Sequence, residues 1–170
     1  MAMMKTLLAN NDLRDAWLYD TYEGMPRPTE LDVSITGETA ISRFDTFDSL
    51  GVGSTWFAAT LEDVREGVAS TGYPSDKIRF IKGKVEATIP ASIPDRIAIL
   101  RLDTDWYEST KHELIHLFPR LSPGGLLIVD DYGSWQGARK ATDEFMAEHC
   151  PDAFVVSGAG GIGYATKPSR

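Results

Sequence analysis

The chain has 170 residues, 42% hydrophobic and 25% charged, an ordinary balance for one globular domain with its own core. Its net charge of −8 argues against nucleic acid as a partner and favours a cation, either a metal or a positively charged cofactor. A lone cysteine, Cys150, excludes a disulfide framework and a thiolate cluster; no apolar run approaches a membrane span, so a cytoplasmic protein without membrane contact is expected.

Met1–Ala9 is rich in helix formers, Asn10–Asn11 ends it, and the stretch lacks the layout of a signal peptide. Ala16–Tyr22 reads as a strand with Asp20 near its carboxyl end. Residues 29–58 are polar and irregular, with glycines at 37, 51 and 53, which suits either a substrate loop or a surface insertion. Thr60 and Asp63 form a box-like helix start, and the helix runs to about Ser70. Lys77–Lys82 is a strand ending at Gly83, and a proline-bearing loop covers 87–95.

The strand Ile97–Leu102 comes next, then a helical stretch with Tyr107, Leu114, Ile115, Phe118 and Leu121 on one face, then the strand Leu126–Val129. Trp135–His149 places Trp135, Ala138, Thr142, Phe145 and Met146 on one face of another helix. The tail reads as two short strands around a glycine turn. Its GAGGIG run, with no helix after it, is a hairpin rather than a dinucleotide loop. Alternating strands and helices predict one α/β domain over 1–170, a doubly wound, mostly parallel sheet with an antiparallel edge.

Carboxylates gather where the central strands end. Asp103 and Asp105 follow the first, Asp130 and Asp131 the second, and a right-handed crossover puts both ends on one rim, where such sheets bind ligands. Asp103, Asp130 and Asp131 offer only oxygen donors, which suit Mg²⁺, Mn²⁺ or Ca²⁺ over Zn²⁺. The bland alternative is that single aspartates, Asp105 and Asp131 above all, cap the next helix or turn. Asp20 fits a ribose-binding acid or a turn residue equally. His112 and His116 are four apart but read as a solvated pair. Trp106, Tyr107, Tyr132 and Trp135 flank the rim and suit either core or a pocket wall.

LRLDTDWYEST, LIVDDYGSWQGARKATDEF, WLYDTYEGMP and ASTGYPSDKIRFIKGKVEATIP together resemble the macrocin O-methyltransferase family. The resemblance implies a Rossmann-like class I methyltransferase that uses S-adenosylmethionine and Mg²⁺ to methylate a sugar hydroxyl of a secondary metabolite. It implies Asp103, Asp130 and Asp131 as metal ligands and Asp105 as general base. Asp20 then stands at the cofactor ribose, with Gly83, Lys84, Val85 and Glu86 near the adenine. Family members carry a further strand and a glycine-bearing loop before the helix that Met1–Ala9 completes. The domain is therefore expected to be N-terminally truncated, with Ala16–Tyr22 and Ile97–Leu102 on either side of the absent strand. The partner implied is a small molecule bearing a hydroxyl; the sequence leaves a homo-oligomer open.

Two other readings compete. Asp103-x-Asp105 with the later Asp130-Asp131 mimics a haloacid dehalogenase-type phosphatase, but Tyr107 stands where that pattern has a threonine, and only one βα unit separates the two pairs. A remnant that binds metal or a partner without catalysis is the other.

Overall fold

The computed structural model describes residues 1–49, 56–153 and 155–169. Its elements in chain order are α1 (Ala2–Ala9), β1 (Ala16–Asp20), α2 (Ala40–Ser49), α3 (Leu61–Ala69), β2 (Ile78–Lys82), α4 (Val85–Thr88), β3 (Ile97–Leu102), α5 (Tyr107–Leu117), β4 (Leu121–Val129), α6 (Gln136–His149), β5 (Val156–Ser157) and β6 (Gly163–Thr166). The expected capping box is present: the Thr60 hydroxyl accepts the Asp63 N–H, and the Asp63 side chain accepts the Thr60 N–H.

The strands form two sheets. β1 pairs in parallel with β2, and β3 pairs in parallel with β4. β6 lies antiparallel on β4, and β5 closes that edge, so the tail hairpin supplies the antiparallel border. Its 3₁₀ turn at Ala159–Gly161 carries the GAGGIG glycines; Gly160 and Gly161 both have positive φ, as a tight return requires. Among the described residues no strand joins β1 to β3.

Each sheet buries an alternating set against helices. Leu100, Leu102, Leu127 and Val129 pack with Leu114, Leu117 and Phe118 from the α5 side and Phe145 and Met146 from α6. Ala16 and Ile78 pack with Met4 of α1 and Val68 of α3 in a second core. Tyr19, on the other face of β1, packs against the first core, and its hydroxyl donates to the Ser92 carbonyl. Helices cover one face of each strand pair, α1 and α3 on β1–β2 and α5 and α6 on β3–β4. Among the described residues no helix is long and apolar enough to cross a membrane.

The structure corrects two expectations. The stretch 29–58 is not irregular throughout, because α2 forms at Ala40–Ser49. Ala40, Phe44 and Phe47 recur at helical spacing and pack toward Trp56, a stripe diluted in the sequence by the polar residues between them. Positions 51 and 53, two of the glycines there, lie outside the described residues. Ile115 is 45% exposed and does not belong to the buried face of α5, which runs through Tyr107, Thr110, Leu114 and Leu117.

Candidate active site

Parallel pairing of β3 and β4 aligns their carboxyl ends, and the Asp130 N–H donates to the Leu102 carbonyl at 2.9 Å. Asp103, Asp130 and Asp131 therefore converge, each offering a carboxylate oxygen within 4.8 Å of the others. Arg101, two residues before Asp103, bridges two of the three. Its guanidinium donates to Asp103 Oδ2 at 2.6 Å and lies 3.1 Å from Asp130 Oδ2. Asp131 Oδ2 is buried with no hydrogen-bond partner. An unsatisfied buried oxygen is costly, and a bound cation is one way to satisfy it.

Crowded negative charge shows in the acidities. Burial raises the Asp103 pKa; Arg101 opposes the rise, and Asp130 and Asp131 add to it. Burial works against the Arg101 charge, but Asp103 and Asp130 outweigh it and hold the guanidinium above its ordinary value. Asp105 is pushed up to about 9, by burial first, then by hydrogen bonding to Asp131 and repulsion from Asp131, Asp103 and Asp130. Asp105 also has φ +62, a left-handed conformation that aspartate tolerates better than most residues. Such a conformation is kept only where the surroundings enforce it, commonly at sites of chemistry.

The cofactor candidates fall into a second group. Asp20 ends β1 exposed to solvent; its Oδ1 accepts the Tyr22 N–H, and its carbonyl accepts the Gly83 N–H at 3.0 Å. Gly83, at φ +139, holds a conformation closed to side chains and turns the chain into α4. Lys84 and Glu86 are exposed, whereas the Val85 side chain is buried in the main core, leaving only its backbone for a ligand. Glu86 Oε1 accepts the Ser109 hydroxyl at 2.7 Å, tying this group to the first turn of α5, just beyond Asp103 and Asp105. His112 and His116 lie with ring centroids 4.5 Å apart and planes tilted by 59°, and His112 Nε2 is held against the Ile89 carbonyl.

The flanking aromatics divide. Trp106 and Trp135 meet edge to face at 5.1 Å and both pack on Trp56, a core cluster in which only Trp135 is partly exposed. Tyr107 and Tyr132 instead turn toward α6, donating to Glu144 and Asp143.

Four contributors escaped the sequence reading. Asp32 is fully buried and accepts from the Thr29 N–H and hydroxyl and from the Tyr107 N–H that opens α5. Its neighbours Val33, Ser34 and Ile35 hydrogen-bond to Gln136 and Ser134 at the start of α6. Residues 29–39 are thereby fastened to both helix starts that follow the carboxylates. Gly137 leaves room for this: a Cβ there would lie 2.5 Å from Asp32 Oδ1. Glu113, buried in α5, accepts the Thr104 hydroxyl at 2.9 Å inside the Asp103–Asp105 loop. Trp56 and Arg101 complete the four. For Glu113 the available signal was a carboxylate on the helix face shared with Thr110 and Leu117; Asp32 carried none, because its partner lies 75 residues away.

A family model described as Macrocin-O-methyltransferase (TylF) matches residues 1–155. The chain is 37% identical over 131 residues to the 8-demethyl-8-(2,3-dimethoxy-alpha-L-rhamnosyl)-tetracenomycin-C 4'-O-methyltransferase of Streptomyces olivaceus, covering 76% of this chain and 47% of that protein. It is 32% identical over 145 residues to the Mycinamicin III 3''-O-methyltransferase of Micromonospora griseorubida, covering 84% and 54%. The solved O-methyltransferase NovP has a similar fold, with TM-score 0.79 and 27% identity, covering 98% of this chain and 66% of that one. The chain spans about half the length of the curated relatives it matches. With the family match running through every carboxylate of the rim, the chain belongs to the macrocin O-methyltransferase family.

Proposed function

We propose that this chain carries the metal and base half of an O-methyltransferase acting on a sugar hydroxyl of a secondary metabolite. The observation that carries the reading is the convergence of Asp103, Asp130 and Asp131 beside Asp105 at the ends of β3 and β4. The names of both curated relatives specify methylation at a numbered hydroxyl, one of them on a rhamnosyl compound, which supports a sugar acceptor.

The residues fit a hard divalent cation such as Mg²⁺. The donors are all oxygens, Asp131 Oδ2 lacks a partner, and Arg101 already brings positive charge to the site. Asp103, Asp130 and Asp131 would hold the ion, which supplies charge that makes an acceptor hydroxyl more acidic and fixes its direction. Asp20 and the Gly83–Glu86 turn suit S-adenosylmethionine through an exposed acid at a strand end and an open backbone. That cofactor supplies a methyl group on a positively charged sulfur, so the protein need only align it and remove one proton.

Asp105 is the group placed to take that proton. Its raised pKa keeps it protonated at neutral pH while its neighbours are uncompensated. Compensating the charge on those neighbours removes the repulsive part of the shift, leaving burial and the hydrogen bond to Asp131, so Asp105 becomes a base at lower pH. Trp135, the partly exposed member of the tryptophan cluster, supplies apolar surface for the ring face of an acceptor.

The test is methyl transfer from S-adenosylmethionine to a panel of deoxysugar glycosides, by the chain fused behind a relative's strand-and-glycine-loop segment, with and without chelator. Transfer that stops with chelator and in Asp130→Asn supports the reading. Transfer at an undiminished rate under chelation sinks the metal role.

A further inference from the structure

We propose that Arg101 is an internal cation that shares the carboxylate site with the divalent ion, so that metal entry is an exchange in which the guanidinium leaves Asp103 and Asp130. The inference rests on the metal reading above. Its basis is geometric: one guanidinium reaches two of the three carboxylates, at 2.6 and 3.1 Å, and leaves Asp131 Oδ2 unserved. A single positive charge bridging two aspartates keeps the group assembled without metal, because like charges this close otherwise repel. A divalent ion matches three carboxylates better than one guanidinium does.

Arg101 also has somewhere to go. Register places it beside Ile128 and Tyr164, on the face of the sheet opposite α5 and α6. On that face Ile99 is 48% and Tyr164 43% exposed, and the Arg101 side chain is half exposed. The guanidinium can swing into solvent across this face without unpacking the core. The rival arrangement keeps Arg101 in place as an outer partner that orients the ligands, in which case its loss weakens metal binding. The two arrangements predict opposite signs.

The experiment is direct Mn²⁺ binding, followed by the resonance signal of the free ion, on the chain and on Arg101→Gln, Arg101→Lys and Asp130→Asn. Exchange predicts about three- to thirtyfold tighter binding in Arg101→Gln, the range for two half-exposed charge contacts. Arg101→Lys keeps the charge but cannot bridge both aspartates, so its affinity falls between wild type and Arg101→Gln. Melting in chelator should drop in Arg101→Gln, and saturating Mn²⁺ should close the gap. Unchanged or weaker binding in Arg101→Gln overturns the exchange, and so does an Arg101→Lys affinity equal to wild type, which would signal a general charge effect. Binding lost in Asp130→Asn shows that the site itself stands whatever Arg101 does; no Mn²⁺ binding by any form overturns the metal reading and the exchange together.

Discussion

Asp32 Oδ1 accepts the backbone N–H of Tyr107 at 2.8 Å across 75 residues of chain. A helix start leaves its first N–H groups without partners, and a nearby side chain usually caps them. The residue before Tyr107 is Trp106, which has no capping oxygen, so α5 is capped by a distant loop instead. The 29–39 loop is therefore joined to the helix that follows Asp103 and Asp105. A shift in either is felt by the other.

Asp32→Ala should lower stability by about 2–4 kcal/mol, since it strips a cap and leaves buried N–H groups unsatisfied. Asp32→Asn retains an acceptor oxygen and should lose less. Chemical denaturation of both variants checks this order. An alanine variant as stable as wild type would mean that the 29–39 loop does not hold α5.

Glu113 gives a pH signature. Burial pushes its carboxyl from 4.5 up to about 8; the Thr104 hydroxyl pulls the other way, and Glu86 and Asp103 add repulsion. The folded state thus holds a proton that the unfolded state releases between those values. Stability is intact below about 4.5 and falls as pH rises toward 8, by roughly 1.4 kcal/mol per unit. Glu113→Gln keeps an acceptor for Thr104 and removes the titration. The difference in unfolding free energy between the two proteins should slope across that window in favour of glutamine. Parallel curves would show that Glu113 is not held neutral.

In a version completed with a relative's strand-and-glycine-loop segment, Asp105→Asn should reduce methyl transfer by roughly 10²–10⁴-fold, the range for a lost general base. Because Asp105 is pushed up to about 9, largely by burial and then by its neighbours, the acid limb of the pH–rate profile should move to lower pH as Mg²⁺ is raised. A limb that stays fixed, or near-normal turnover in the asparagine variant, would remove Asp105 from the base role.

Much of this was legible because it is local. The runs before Asp103 and Asp130 are short, apolar and bounded by turns, so strand ends and carboxylates are read together. The Thr60 and Asp63 box is a four-residue signal and folds as read. Asp32 and Trp56 act across long separations, through partners that no spacing rule connects. Tyr107 and Tyr132 stood beside the rim in sequence, but helix direction turned both toward α6. Arg101 was visible as a charge in a strand, yet its meaning needed the second strand end beside it.

The last prediction concerns the strands that border each other nowhere. Among the described residues β1 pairs only with β2 and β3 only with β4. Both are parallel strands, which are ordinarily buried on both faces and paired on both sides. β3 departs from that, with Ala98 and Ile99 exposed between the partly buried Ile97 and the buried Leu100. An open edge with apolar flanks is a template for another strand. We predict that a strand lying parallel between β1 and β3 completes the sheet, wherever that strand comes from, and that the 170 residues alone associate through these edges. Without it, β1 and β3 amides should exchange with deuterium much faster than the doubly paired β4 amides, because unpaired groups open at little cost. S-adenosylmethionine should bind weakly without that strand. Fusing a strand-and-glycine-loop segment from a relative ahead of Met1 should slow exchange in both strands and strengthen cofactor binding. A monomer that melts sharply, protects β1 and β3 as well as β4, and binds S-adenosylmethionine at micromolar concentration would show that the edges are closed within the chain itself.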